Sequence, residues 1–244
     1  MMNTAQAREI GSKCAGLIKS GKVDKAEALL VPVLAERTPF RLLDMIGDAL
    51  EEVDFARVDP FLERIAALDE EGSWVVIASV LRTFLGVDLE GALHRCQRYI
   101  VAADAWYAAD SLAERVPGEA LVGYFNPALT ILKEWRGSDN QWIRRAVGVS
   151  VHFWAKRSRG EAALVVQALQ LLDLLEPLYT ERKLKAVKGI GWGLKTLGRN
   201  YPELVEVFLE RQIREGIRCR TPMIDKAKEY LPQPAKDRLN ELES

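Results

Sequence analysis

The sequence predicts an all-α protein built as an α-solenoid. Almost every segment places its apolar residues at the 3.6-residue period, and no alternating strand pattern competes. Each periodic segment is closed by Gly, Pro or Asp within a few residues. The connections are short, so successive helices pack antiparallel as hairpins. Stacked hairpins in this number give a curved solenoid of degenerate HEAT or armadillo-like type with a concave face. No strict sequence period is present, which leaves a globular all-α bundle as the structural alternative.

In chain order, helices are expected over residues 4–19, 24–36, 39–52, 58–68 and 73–85. They continue over 88–103, 105–115, 119–135, 139–157 and 161–176, then 181–199, 202–215, 222–231 and 234–242. Asp24, Asp88 and Asp139 stand where a side chain can cap a helix, and Pro202 and Pro222 occupy first-turn positions. In 105–115, Ala108 and Leu112 face the core, so Trp106 and Asp110, four apart, point together with little bulk from Ala103, Ala109 or Ala113 to cover them. In 139–157, Trp142, Ala146, Val149 and Phe153 form the core stripe. Arg145, His152 and Lys156 line an adjacent stripe, while Arg144 points roughly the other way.

The helix at 181–199 is the most informative. A helix turns about 100° per residue, so Lys185, Lys188, Trp192, Lys195 and Arg199 share a stripe roughly 80° wide. Ala186, Val187, Ile190, Gly193, Leu194 and Leu197 take the opposite, core side. Four cations around one indole suit a polyphosphate, because cations neutralise phosphates and an aromatic face stacks on flat groups. A solvated face with one stray Trp is the alternative. The run Gly189-Ile190-Gly191-Trp192-Gly193 follows a lysine-rich helix start rather than a strand, so it is not a dinucleotide fingerprint. Glycines inside a helix cost about 1 kcal/mol each relative to alanine, which close approach of a neighbouring helix or a ligand would offset.

Length and composition narrow the class. The 244 residues, 48% hydrophobic and 28% charged, suffice for one elongated or two compact domains. No signal-peptide segment and no run of about 18 apolar residues occurs, so a cytoplasmic protein with no membrane contact is expected. Cys14, Cys96 and Cys219 are far apart with no CxxC pair, and His94 and His152 are the only histidines, so neither disulfides nor a metal site is expected. The net charge of −1 conceals a division: −7 over residues 1–132, +7 over 133–220 and −1 over the remainder. An asymmetry of this size points to an anionic partner on the C-terminal half.

The Trp106–Asp110 pair reads either as a catalytic carboxylate beside an indole or as an acid paired with a nearby arginine. The segment Ser138-Asp139-Asn140-Gln141-Trp142-Ile143-Arg144-Arg145-Ala146 adds cations beside a core stripe, which suits phosphates or an ion pair with a neighbouring helix. Together with Lys188-Gly189-Ile190-Gly191-Trp192-Gly193-Leu194, these pieces resemble, in order and separation, the DNA alkylation repair enzymes, the AlkD-like alkylpurine DNA glycosylases of HEAT-like repeats. The resemblance covers about residues 100–232. It implies that Asp110 is the catalytic carboxylate, that Trp106 and Trp192 wall the lesion cleft, and that Arg145 contacts the DNA backbone. Lys156, Lys185, Lys188, Lys195 and Arg199 are the further candidates for backbone contacts. It also implies double-stranded DNA carrying N3- or N7-alkylated purines as the partner, excision without a deep base pocket, and no metal or organic cofactor.

The domain division expected from this is 1–100 as acidic N-terminal helical repeats, 101–232 as the repair-like repeats and 233–244 as a C-terminal helix. The first 100 residues are expected to supply a separate protein-partner surface, and the chain to be a monomer. Two other functions fit the same residues: a noncatalytic HEAT-repeat protein that binds damaged or branched DNA, and a protein-interaction scaffold.

Overall fold

The computed structural model describes residues 2–243, and every regular element among them is helical. The chain divides into two compact units, the first ending at Val116 and the second beginning at Pro117. The first unit contains α1 (Thr4–Lys19), α2 (Val23–Ala35), α3 (Phe40–Asp48), α4 (Phe55–Ala66), α5 (Glu71–Thr83), α6 (Leu89–Ala103) and α7 (Trp106–Ala113). The second contains α8 (Glu119–Gly123), α9 (Phe125–Trp135), α10 (Gln141–Ser158), α11 (Val165–Leu175), α12 (Leu184–Asn200), α13 (Pro202–Arg214), α14 (Thr221–Lys228) and α15 (Gln233–Glu243). Within each unit neighbouring helices pack as hairpins, so the fold is all-α and solenoid-like, as the periodicity predicts.

The first unit is organised around α5, whose residues Gly72 to Leu81 are all buried. A helix apolar on every side must be surrounded, and α5 is covered by α3, α4, α6 and α7. Asp44 on α3 accepts hydrogen bonds from Ser79 Oγ on α5 at 2.7 Å and from Arg115 Nε, just past α7, at 2.6 Å. This network ties α7 to the unit's interior. Residues 101–116, which the resemblance groups with the C-terminal part, thus belong to the first compact unit through the packing of α7 on α5 and α6.

Several expected boundaries and caps differ, each for a local reason. Asp88 caps α6, its Oδ1 accepting from the Gly91 amide at 2.9 Å. Asp24 instead lies inside the first turn of α2 and pairs with Arg64 at 2.7 Å. Asn140, not Asp139, caps α10, with Oδ1 accepting from Trp142 N at 2.8 Å and Ile143 N at 3.4 Å. The helix expected over 119–135 is broken at Tyr124. Pro127 lacks an amide hydrogen and would clash with the carbonyl four residues back, so the chain restarts as α9 with Pro127 in its first turn. α4 begins at Phe55, three residues earlier than expected, because Asp54 caps it. α12 begins at Leu184 because Glu181 Oε1 holds the amides of Arg182 and Lys183, at 2.8 and 2.7 Å, in a turn ahead of it.

The second unit is built on the crossing of α10 and α12. Glycines meet there face to face. A Cβ on Gly148 would lie 2.5 Å from the carbonyl carbon and oxygen of Gly189, and one on Gly193 would lie 2.7 Å from the Gly148 carbonyl oxygen. The close approach called for at Gly189 and Gly193 is therefore met by a neighbouring backbone, while a Cβ on Gly191 would meet the Lys226 side chain at 3.2 Å. On its other side α12 packs against α14, where a Cβ on Gly198 would meet the Ala227 carbonyl oxygen at 3.2 Å. Because the atoms opposing Gly148 are backbone, they cannot rotate away. Gly148→Ala is expected to destabilise the second unit by about 3 kcal/mol, read as a lower urea midpoint; an unchanged midpoint would show that the crossing has slack.

Candidate functional site

α12 divides as its sequence does. Ala186, Val187, Ile190, Gly193, Leu194 and Leu197 are buried, whereas Lys185, Lys188 and Arg199 are exposed and Trp192 and Lys195 half-buried. Trp192 lies outside the core and stacks on the His152 ring, with centroids 4.0 Å apart and planes 20° from parallel. His152 comes from α10 and is 8% exposed. Its Nδ1 is 2.6 Å from Thr196 Oγ1, and that hydroxyl donates to the Trp192 carbonyl at 3.1 Å. With the hydroxyl hydrogen so used, Nδ1–H is the donor to Thr196, which leaves the lone pair on Nε2. Burial first, and then the charges of Lys156, Lys226 and Lys195, lower the imidazole to a pKa of about 4, so it is neutral at pH 7.

The cations around this stack come from three helices. Lys156 is exposed on α10, Lys188 and Lys195 stand on α12, and Lys226 is half-buried on α14. The Lys226 ammonium is pushed below the usual lysine range, chiefly by burial and then by Lys195 and Arg145, with Glu229 acting in the opposite sense. Lys195 Nζ bonds Glu229 at 2.6 Å and sits 4.9 Å from the Tyr230 ring, and the Arg199 guanidinium lies 5.2 Å from the same ring. Lys185 Nζ lies 5.8 Å from the Trp142 ring.

Arg145 differs from the surface contact that the resemblance implies. It is only 7% exposed, and its Nη1 donates to the Lys185 carbonyl at 2.9 Å. Its aliphatic stem fills the space that a Cβ on Gly189 would take, Cγ standing 2.6 Å from that point. Arg145 thus braces the first turn of α12. Arg144, on the other side of α10, forms an ion pair with Glu181 in the turn ahead of α12 and donates to the Ser138 carbonyl at 2.6 Å.

In the first unit, Trp106 opens α7 and is 54% exposed, meeting the edge of Tyr107 at 6.0 Å between centroids. Asp110, one turn on, is half-buried. Ala108, Ala109, Leu112 and Ala113 are buried on the sides that α7 turns inward. Arg115 also bonds the Ser111 carbonyl at 3.3 Å, so its link to Asp44 holds the end of the helix that carries the pair. Among the described residues no group of three or more His, Cys, Asp and Glu stands ready to hold a metal ion. Burial pushes the Cys14 thiol up to about 11 and the Cys96 thiol well up, as expected of inert core cysteines.

Sequence reasoning put His152 on the right stripe without a role and missed Lys226 and Tyr230 altogether. Their importance comes from the packing on α12 of α14, which carries Lys226 and is followed by Tyr230, and this leaves no short-range signal in the chain.

A family model described as DNA alkylation repair enzyme matches residues 74–231, well over half of the chain. The chain belongs to that family, which gives it a part in the repair of alkylated DNA and DNA as its partner. The match reaches back to α5, some way ahead of the expected start near residue 100. No curated protein and no solved structure matches the chain. Among the described residues no helix is long and apolar enough to cross a membrane.

The His152 environment has a consequence for stability. Unfolded, the imidazole takes its proton near pH 6.5; folded, it does so at about 4. A depressed folded value means the stabilisation is whole above pH 6.5 and is lost as pH falls from there toward 4. Between pH 7 and 4.5 the native protein should lose roughly 2–3 kcal/mol more than His152→Gln does, measured by urea unfolding. Equal losses would show that His152 is not held neutral by the fold.

Proposed function

We propose that this member of the DNA alkylation repair family is a glycosylase that removes N3- and N7-alkylated purines from double-stranded DNA. The observation that carries the reading is the pair on α7: a half-buried carboxylate, Asp110, one helical turn from a largely exposed indole, Trp106. Alkylation at N3 or N7 gives the purine a positive charge, which weakens its glycosidic bond. When that bond breaks, its electron pair neutralises the base, and oxocarbenium character is left on the deoxyribose. Asp110 stabilises this cation and orients the water that adds at C1′, whose proton passes to solvent; the products are the free base and an abasic site. The largely exposed indole of Trp106 attracts the cationic base through its face. The leaving group is already activated by its charge, so the reaction draws on no metal or organic cofactor.

Lys156, Lys185, Lys188, Lys195 and Arg199 hold backbone phosphates in this reading. Arg145 serves the same surface by fixing the turn of α12 that carries Lys185. Phosphate contacts of this kind give affinity and register, not sequence preference, as befits an enzyme that must survey any duplex.

Two measurements test the proposal. On methylated duplex, Asp110→Asn is expected to release 3-methyladenine and 7-methylguanine about 10²–10³-fold more slowly than wild type, and unchanged release would remove the carboxylate from the chemistry. On undamaged duplex, Lys188→Glu combined with Lys195→Glu should weaken binding severely and flatten the slope of log affinity against log salt by roughly 1–2. A salt-independent affinity in the wild type would point to a protein scaffold instead.

A further inference from the structure

His152 stands out among the groups that the proposed chemistry leaves unused. It is a titratable side chain stacked on an indole and under the charge of three lysines. It stacks on Trp192 at 4.0 Å and donates from Nδ1 to Thr196. The charged groups that act on it come from each helix around it: Lys156 on its own α10, Lys195 on α12 and Lys226 on α14. The carboxylate at this place is Glu229, which bonds Lys195 at 2.6 Å and offsets part of the Lys226 charge, while burial, Lys195 and Arg145 act on Lys226 in the opposite sense. Like charges gathered on partly buried side chains raise the energy of the empty surface, and a bound anion relieves it. The lone pair on His152 Nε2 can accept a proton, and the protonated nitrogen is then a donor to an anionic oxygen.

We propose that His152, Lys156, Lys195 and Lys226 form a seat for one backbone phosphate of duplex DNA, in which His152 takes up a proton from solvent as the phosphate arrives. The inference rests on the reading of the protein as a DNA binder and is independent of whether it cleaves a glycosidic bond. In the free protein burial first, and then the three ammonium groups, oppose protonation of the ring. A phosphodiester reverses the local sign, so the bound state holds one proton more than the free state, and binding tightens as pH falls. The stacked indole is drawn into the same event, since protonation turns the His152–Trp192 contact into a cation–π pair.

The chain has only two histidines, His94 and His152, so ring NMR of the whole protein separates them, with His94→Gln supplying the assignment. Three samples are titrated from pH 7.5 to 5: free protein, protein with inorganic phosphate, and protein saturated with undamaged duplex. His152 should show no titration above pH 5 when free and a midpoint about two pH units higher with duplex. Wild-type affinity for the duplex should then rise about tenfold more between pH 7 and 5 than that of His152→Gln. A His152 midpoint unmoved by saturating duplex overturns the seat while leaving DNA binding intact. Response to inorganic phosphate alone also overturns it, since the seat would then belong to a free anion. Failure to bind duplex at low salt and pH 7.5 fails the DNA reading itself and is seen separately, in the binding isotherm.

Discussion

The second unit depends on one contact, the backbone-to-backbone crossing of α10 and α12 at Gly148, Gly189 and Gly193. Side chains as small as hydrogen let the helix axes approach until each glycine sees the other helix's carbonyls. Three consequences follow from that distance. The Arg145 guanidinium reaches the carbonyl of Lys185 in the first turn of α12. Two turns further along each helix, His152 and Trp192 come into ring contact, and Thr196 bonds the His152 ring and the Trp192 carbonyl. The lysines on the outer side of α12 are then presented on a rigid base rather than on a swaying surface helix. The glycines weaken the helix as an isolated element, and their packing against α10 offsets that loss.

Charge sits on this base in an unusual state. Surface lysines normally repel one another weakly because water screens them. Here Lys226 is partly buried beside Lys195 and Arg145, and the imidazole that could add one more charge is held neutral. Such a surface is less stable empty than filled by an anion. In the reading proposed above, a backbone phosphate of DNA is the anion that relieves it. The first unit offers a contrast. Its cationic Arg115 is paired with Asp44 and used to fix α7, so its charge goes into holding Trp106 and Asp110 in place.

Much of this was legible in the chain. The helical class and the two-sided character of α12 follow from the 3.6 period alone, because burial of one face is what that period encodes. Lys185, Lys188 and Arg199 were read as outward from spacing, and outward they are. Helix ends were harder. Asp139 and Asn140 are adjacent potential caps, and only the backbone geometry decides between them. Pro127 splits a helix that apolar periodicity runs straight through. The role of Arg145 misled because spacing gives the direction of a side chain but not the depth of the groove it enters. Lys226 and Tyr230 were invisible for a related reason: they join the site only through the packing of α14 on α12, an interaction between residues some thirty positions apart in sequence.

The link between the glycine crossing and DNA binding is the most exposed part of this picture, and Gly193→Ala probes it directly. A Cβ there would press on the Gly148 carbonyl oxygen beneath the indole, without touching any cation. Duplex affinity and its salt dependence should be measured on this variant at a temperature where circular dichroism shows it fully helical. If the crossing sets the phosphate-binding face, the folded variant binds duplex several-fold more weakly, with a shallower salt slope. Wild-type affinity and slope in a variant whose stability is clearly lowered would show that the cations bind DNA without the crossing beneath them.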